Sequence, residues 1–123
     1  MNDDEMQSLR LSSLALSATT QLDSDAGGAR GEVLWLDLDA VESRYLLAAA
    51  GDGAIEIYDV QAANAGSGHE RRCLLPVGSV RQRTHPASAH RFAATCVAWY
   101  PVDSGMFVSG SADKTLRLWD TNT

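Results

Sequence analysis

The stretch His90–Asp120, HRFAATCVAWYPVDSGMFVSGSADKTLRLWD, decides the fold. It holds three short strand patterns. Ala94 to Tyr100 (ATCVAWY) runs into Pro101, whose nitrogen has no hydrogen to give a sheet ladder. Met106 to Ser111 (MFVSGS) follows a turn at Asp103-Ser104-Gly105, and Thr115 to Asp120 (TLRLWD) follows a tight turn at Ala112-Asp113-Lys114. In the last run Leu116 and Leu118 face one way and Arg117 and Trp119 the other, the two-residue period of a strand. Connections this short allow only an antiparallel meander.

Upstream the pattern recurs. Val33 to Leu38 (VLWLDL), Tyr45 to Ala50 (YLLAAA) and Ala54 to Asp59 (AIEIYD) form a second meander. A shift of 61 residues lays it on the first without gaps: Leu38 meets Trp99, Ser43 meets Ser104, Asp52 meets Asp113, and Tyr58-Asp59 meets Trp119-Asp120. Turn residues and strand ends coincide, so the chain contains an internal repeat.

The unit resembles a WD repeat, the building block of a β-propeller blade. His90 falls at the family's loop histidine, Asp113 at its turn aspartate, Ser109 (or Ser111) at its strand serine, and Trp119-Asp120 at its namesake dipeptide. The resemblance implies a hydrogen-bonded chain from Trp119 through Ser109 and His90 to Asp113, an architectural role for the most conspicuous polar residues. The upstream copy is degenerate: Tyr58 replaces the tryptophan, Ala48 the serine, and Ala29 stands where a histidine is expected. That chain therefore cannot form there.

The expected fold is all-β: about two antiparallel four-stranded propeller blades, the second incomplete, as a fragment of a seven-bladed propeller. Residues 1–30 are expected to be a disordered or weakly helical extension, with Gly-rich residues 23–31 as a linker. Residues 31–80 form the first, degenerate blade, with Cys73 to Val80 (CLLPVGSV) as its outer strand and Pro76 tolerated at an edge. Residues 81–89 are a polar basic loop, and residues 90–123 the second blade, lacking its outer strand. Two blades are too few to close a propeller, so a fragment or truncated product is expected.

With 45% hydrophobic and 21% charged residues, the 123-residue chain has the composition of a globular domain. It has no run of about 18 apolar residues, and its acidic start (MNDDEMQ) lacks the features of a signal peptide. Two cysteines, Cys73 and Cys96, do not make a disulfide framework. A net charge of -6 argues against unassisted nucleic-acid binding.

Few residues invite chemistry. Cys96 and His90 could make a nucleophile–base pair, but Cys96 sits in an alternating apolar strand and reads as a buried small hydrophobe. Cys73, Cys96, His69, His85 and His90 lack the close ligand pairs of a zinc site. Gly27-Gly28 and Gly51-Asp52-Gly53 read as turns, without the Gly-Lys-Ser/Thr ending of a phosphate loop. No catalytic residue, metal or cofactor is expected. Charge is more telling: Arg71, Arg72, Arg81, Arg83 and Arg91 crowd one interval with no acidic residue in it, a candidate basic rim for an acidic partner.

A narrower resemblance rests on Val97-x-Trp99-Tyr100-Pro101, Asp103-x-Gly105-Met106-Phe107 and Asp113-Lys114-Thr115-Leu116-x-x-Trp119-Asp120-Thr121-Asn122-Thr123. With Glu42-x-Arg44-Tyr45 and Ile57-Tyr58-Asp59 upstream, these are similar to the first two blades of the Cockayne syndrome group A family. That resemblance implies a non-enzymatic substrate receptor of a cullin-RING ubiquitin ligase. Its implied partners are a damage-binding adaptor protein, the ligase, a protein substrate and the remaining blades, and its implied setting is transcription-coupled nucleotide excision repair in the nucleus. Residues 1–30 depart from the family's helical leader. The alternatives are an unrelated WD-repeat scaffold in RNA processing or chromatin assembly and, from another class, a Cys/His hydrolase.

Overall fold

Two aspartates set the turns from which both sheets grow. Asp52 Oδ1 accepts the Ala54 N–H at 3.0 Å and Asp113 Oδ1 the Thr115 N–H at 2.9 Å, each side chain closing a hairpin two residues on. In the computed structural model, which describes residues 20–22, 31–61, 72–103 and 105–121, each turn joins the second and third strands of a meander.

The strands are β1 (Thr20–Leu22), β2 (Val33–Leu38), β3 (Tyr45–Ala50), β4 (Ile55–Asp59), β5 (Arg72–Leu74), β6 (Gly78–Val80), β7 (Ala94–Trp99), β8 (Met106–Ser111) and β9 (Leu116–Asp120). One antiparallel sheet has the order β2-β3-β4-β6 and another β7-β8-β9, and β1 pairs parallel with β5. No α-helix occurs among the described residues. Strand boundaries in the two large sheets superpose under the 61-residue shift, β2 on β7, β3 on β8 and β4 on β9. Even the register irregularity repeats, between Val33 and Trp35 in one sheet and Ala94 and Cys96 in the other.

Three expectations need correction. The run Cys73 to Val80 is not one outer strand. Pro76 cannot donate to a ladder and divides it: Gly78–Val80 pairs with β4, whereas Arg72–Leu74 joins Thr20–Leu22. Thr20–Leu22 is accordingly a strand, not part of a helix or disordered leader; the rest of residues 1–30 lies outside the described residues. Cys96 is exposed, not buried. The bulge after Ala94 breaks the alternation, so Thr95 and Cys96 both face outward while Ala94, Val97 and Trp99 face in.

The core lies between the two large sheets. Leu47, Ala49 and Ile55 of the first meet Ala94, Val97, Trp99 and Phe107 of the second, with Tyr45, Ile57, Val80 and Trp119 packed around them. The alanines of β3 follow from its place: Leu47 to Ala50 is buried throughout, and small side chains let both of its faces be covered. Phe107 lies edge-on to Trp99 (centroids 5.6 Å) and stacks on Trp119 (6.2 Å). Apolar surface remains on β2, where Trp35 and Leu36 are more than half exposed, and on β9 at Leu116 and Leu118. A closed propeller covers such faces with neighbouring blades.

Candidate functional site

The polar centre of the second sheet is a relay of four side chains. Trp119 Nε1–H donates to Ser109 Oγ at 2.9 Å, Ser109 Oγ lies 2.7 Å from His90 Nε2, and His90 Nδ1 lies 2.9 Å from Asp113 Oδ2. Asp113 only accepts, so the imidazole donates from Nδ1 and receives the serine hydroxyl at Nε2. His90 and Ser109 are buried. Each of their polar atoms therefore has a partner that water could not replace.

Asp113 anchors more than the histidine. Thr115 Oγ1 donates to its Oδ1, and Arg117 Nη2 stands 3.7 Å from its Oδ2. The Thr115 hydroxyl and then the His90 ring, opposed by partial burial, hold its carboxyl far below the usual range. Arg117 also donates to the Ser88 and Ala89 carbonyls. The relay thus reaches from the strand interior to the loop preceding His90. Thr115 and Arg117 were not singled out as site residues; Arg117 was detectable from its place on the Trp119 face of the strand.

The first sheet solves the same position differently. Where Ser109 stands in one copy, Ala48 stands buried in the other, and the Tyr58 hydroxyl donates to the buried carboxylate of Glu56. A second buried acid, Asp39, accepts backbone N–H groups from Glu42 (2.6 Å), Tyr45 (2.7 Å) and Arg44 (2.9 Å). Burial opposes its ionisation, but these donors prevail and its pKa is lowered. Arg44 is bidentate to Asp59 Oδ2 at 2.9 and 3.1 Å. That pair raises the pKa of Arg44.

The sheets are joined by polar bonds as well as by core. Asp37 Oδ2 accepts the Trp99 N–H at 2.6 Å, and the Trp99 indole N–H reaches the carbonyls of Tyr45 (3.1 Å) and Asp37 (3.2 Å). Gly53, at φ +90°, passes so close to the second sheet that a Cβ there would lie 2.4 Å from the His90 carbonyl oxygen. Sequence reading missed Asp37 and Asp39. Asp37 acts on a partner 62 residues away, which no short-range pattern marks, whereas Asp39 caps the loop three to six residues after it.

The remaining candidates are dispersed. His90 has both ring nitrogens engaged by Ser109 and Asp113, so it is not poised as a base for Cys96. No group of three metal-ligating side chains occurs among the described residues. Of the five arginines, Arg81, Arg83 and Arg91 share one surface loop; Arg71 and the side chain of Arg72 lie outside what is described. A cleft of about 1160 Å³ between the sheets is lined by Ile57, Val77, Trp99, Phe107 and Trp119, with His85 and Arg117 also in its wall.

Geometry and repeat together define a class, a WD-repeat protein whose sheets fit a fragment of a β-propeller. Residues 81–120 match the family profile described as WD domain, G-beta repeat. Among relatives, the chain is 38% identical over 98 residues to WD repeat-containing protein ATCSA-1 of Arabidopsis thaliana, covering 76% of this chain and 21% of that protein. It is 51% identical over 35 residues to Radiation-sensitive protein 28 of Saccharomyces cerevisiae (28% of this chain, 7% of that protein). It is 32% identical over 77 residues to Nuclear distribution protein PAC1 of Coccidioides posadasii (53% and 16%). The chain thus spans about a fifth or less of these relatives. Proteins of this family act as protein-interaction scaffolds and are in general not enzymes.

Proposed function

We propose that the chain forms part of the substrate receptor of a cullin-RING ubiquitin ligase, docked through a damage-binding adaptor and acting in nuclear transcription-coupled excision repair. The observation that carries this reading is the 98-residue similarity to the Arabidopsis protein, which extends beyond the 81–120 repeat match to more than three quarters of the chain. The similarity to Radiation-sensitive protein 28 supports the link to DNA damage. In this role the chain supplies surface, not chemistry. Residues 31–80 act as a first blade without the relay and residues 90–123 as a second blade, whose His90–Ser109–Asp113–Trp119 relay fixes the loop it presents. The shared repeat with a nuclear distribution protein favours a second reading, a WD-repeat scaffold outside repair.

Affinity capture of the tagged native protein from its source cells separates the two. Recovery of the damage-binding adaptor and a cullin is expected, increasing after ultraviolet irradiation. Recovery of a stable complex without either would overturn the ligase reading and favour the second.

A further inference from the structure

Three arginines and an exposed aromatic, Phe92, lie on the segment that leads into the second sheet. Gln82 Nε2 donates to the carbonyls of Ala89 (3.2 Å) and His90 (3.1 Å), folding residues 81–83 back onto the start of that sheet. The N–H groups of Thr84 and His85 donate to the Arg81 carbonyl, and those of Ser88 and Ala89 to that of His85. The loop is therefore fixed by backbone and amide bonds, and its guanidinium groups have no ion pair among the described residues. The hairpin turn at residues 111–114 leans on the same segment. Ser111 Oγ donates to the Phe92 carbonyl at 3.1 Å and Ala112 N to that of Ala93 at 3.0 Å, which brings exposed Lys114 alongside.

Ion pairs among the described residues join Arg44 to Asp59 and Arg117 to Asp113, whose carboxylate also accepts from His90. None engages Arg81, Arg83, Arg91 or Lys114. The Nε of Arg81 is buried without an acceptor, although buried donors are as a rule satisfied. Phe92, between Arg91 and the turn, is 61% exposed. Arginine and aromatic side chains are the types that dominate binding energy at interfaces, and a loop already ordered loses little entropy on docking.

We propose that Arg81, Arg83, Arg91 and Lys114, grouped around Phe92, form a docking site for an acidic protein segment that carries an apolar side chain among its carboxylates. This rests on the reading of the chain as an interaction scaffold and names the partner's chemistry. A short acidic segment fits better than nucleic acid: the patch holds four cations in a chain of net charge -6, so a continuous phosphate backbone running past it would meet the acidic remainder of the surface.

The test uses the full 123-residue chain and fluorescence anisotropy. The probes are a labelled Glu/Asp peptide with one central leucine, the same peptide with serine in its place, and a single-stranded oligonucleotide of equal charge. Tightest binding to the leucine peptide is expected, weakening severalfold between about 50 and 200 mM salt. R83E/R91E should weaken it about tenfold, and F92A should erase the preference for leucine over serine. R83Q/R91Q, with its fold checked by circular dichroism, replaces the reversal variant should that fail to fold. Equal binding by wild type and the arginine variants, or tighter binding of the oligonucleotide, would overturn the proposal. Adaptor capture without peptide binding would defeat this site and leave the ligase reading standing; peptide binding without adaptor capture would do the reverse.

Discussion

Ser109→Ala is the sharpest test of the relay. The hydroxyl joins two partners, accepting from the Trp119 indole at 2.9 Å and bonding His90 Nε2 at 2.7 Å, and Ser109 is fully buried. Truncation leaves Nε2 of a ring that is 1% exposed facing a methyl group. The indole N–H, on a half-buried ring, regains some water. An orphaned buried group costs about 1–3 kcal/mol and a net lost hydrogen bond about 0.5–1.5, so destabilisation of about 2–4 kcal/mol is expected. Urea unfolding followed by tryptophan fluorescence reads this as a lower midpoint at unchanged slope, and heating as a Tm lower by about 10 °C or more. Ser111→Ala is the control: its hydroxyl bonds the Phe92 carbonyl and the Asp113 N–H from a half-buried position, and about 1 kcal/mol or less is expected. A Ser109→Ala loss within 0.5 kcal/mol of that control would refute the relay as a stability element.

Gly53→Ala should cost several kcal/mol, because φ +90° disfavours a side chain and the new Cβ would meet the His90 and Phe92 carbonyl oxygens at 2.4 and 2.8 Å; chemical denaturation measures it, and a loss under 1 kcal/mol would contradict the close approach. Asp37→Ala removes the acceptor of the Trp99 N–H; a loss of about 1–2 kcal/mol and faster hydrogen exchange at the Trp99 amide are expected, while unchanged exchange would mean that the Asp37 carboxylate does not hold that amide. Acid should destabilise the fold. Asp113 and Asp39 have folded pKa values below the usual 3.8, so their contribution is present above about pH 4 and is lost as pH falls through the lowered values. The urea midpoint should be flat from pH 7 to about 5 and fall below 4, less steeply in Asp113→Asn; a midpoint that rises on acidification would contradict this.

Much of the architecture could be read from short-range signals. Alternation, turn aspartates and the 61-residue repeat placed six strands within a residue of their observed bounds, because hairpins report their pairing locally. The motif positions His90, Ser109, Asp113 and Trp119 lie in hydrogen-bond contact in the structure. What escaped depends on the third dimension. A bulge after Ala94 turned Cys96 outward although its neighbours alternate. Pairing of Arg72–Leu74 with Thr20–Leu22 joins residues about fifty positions apart, and parallel pairing leaves no turn signature. Asp37 looks like an ordinary strand acid until Trp99 folds against it from 62 residues away.

The role proposed for this chain is to help hold a repair-linked ligase adaptor. Its most direct measurement is a calorimetric titration of the purified native protein with the purified damage-binding adaptor, beside a second copy carrying Ser109→Ala. Saturable one-to-one binding is the expected result, weakened in the variant only as far as the folded fraction falls. Absence of heat or complex at concentrations well above those of the cell, with a wild-type protein shown to be folded, would contradict it.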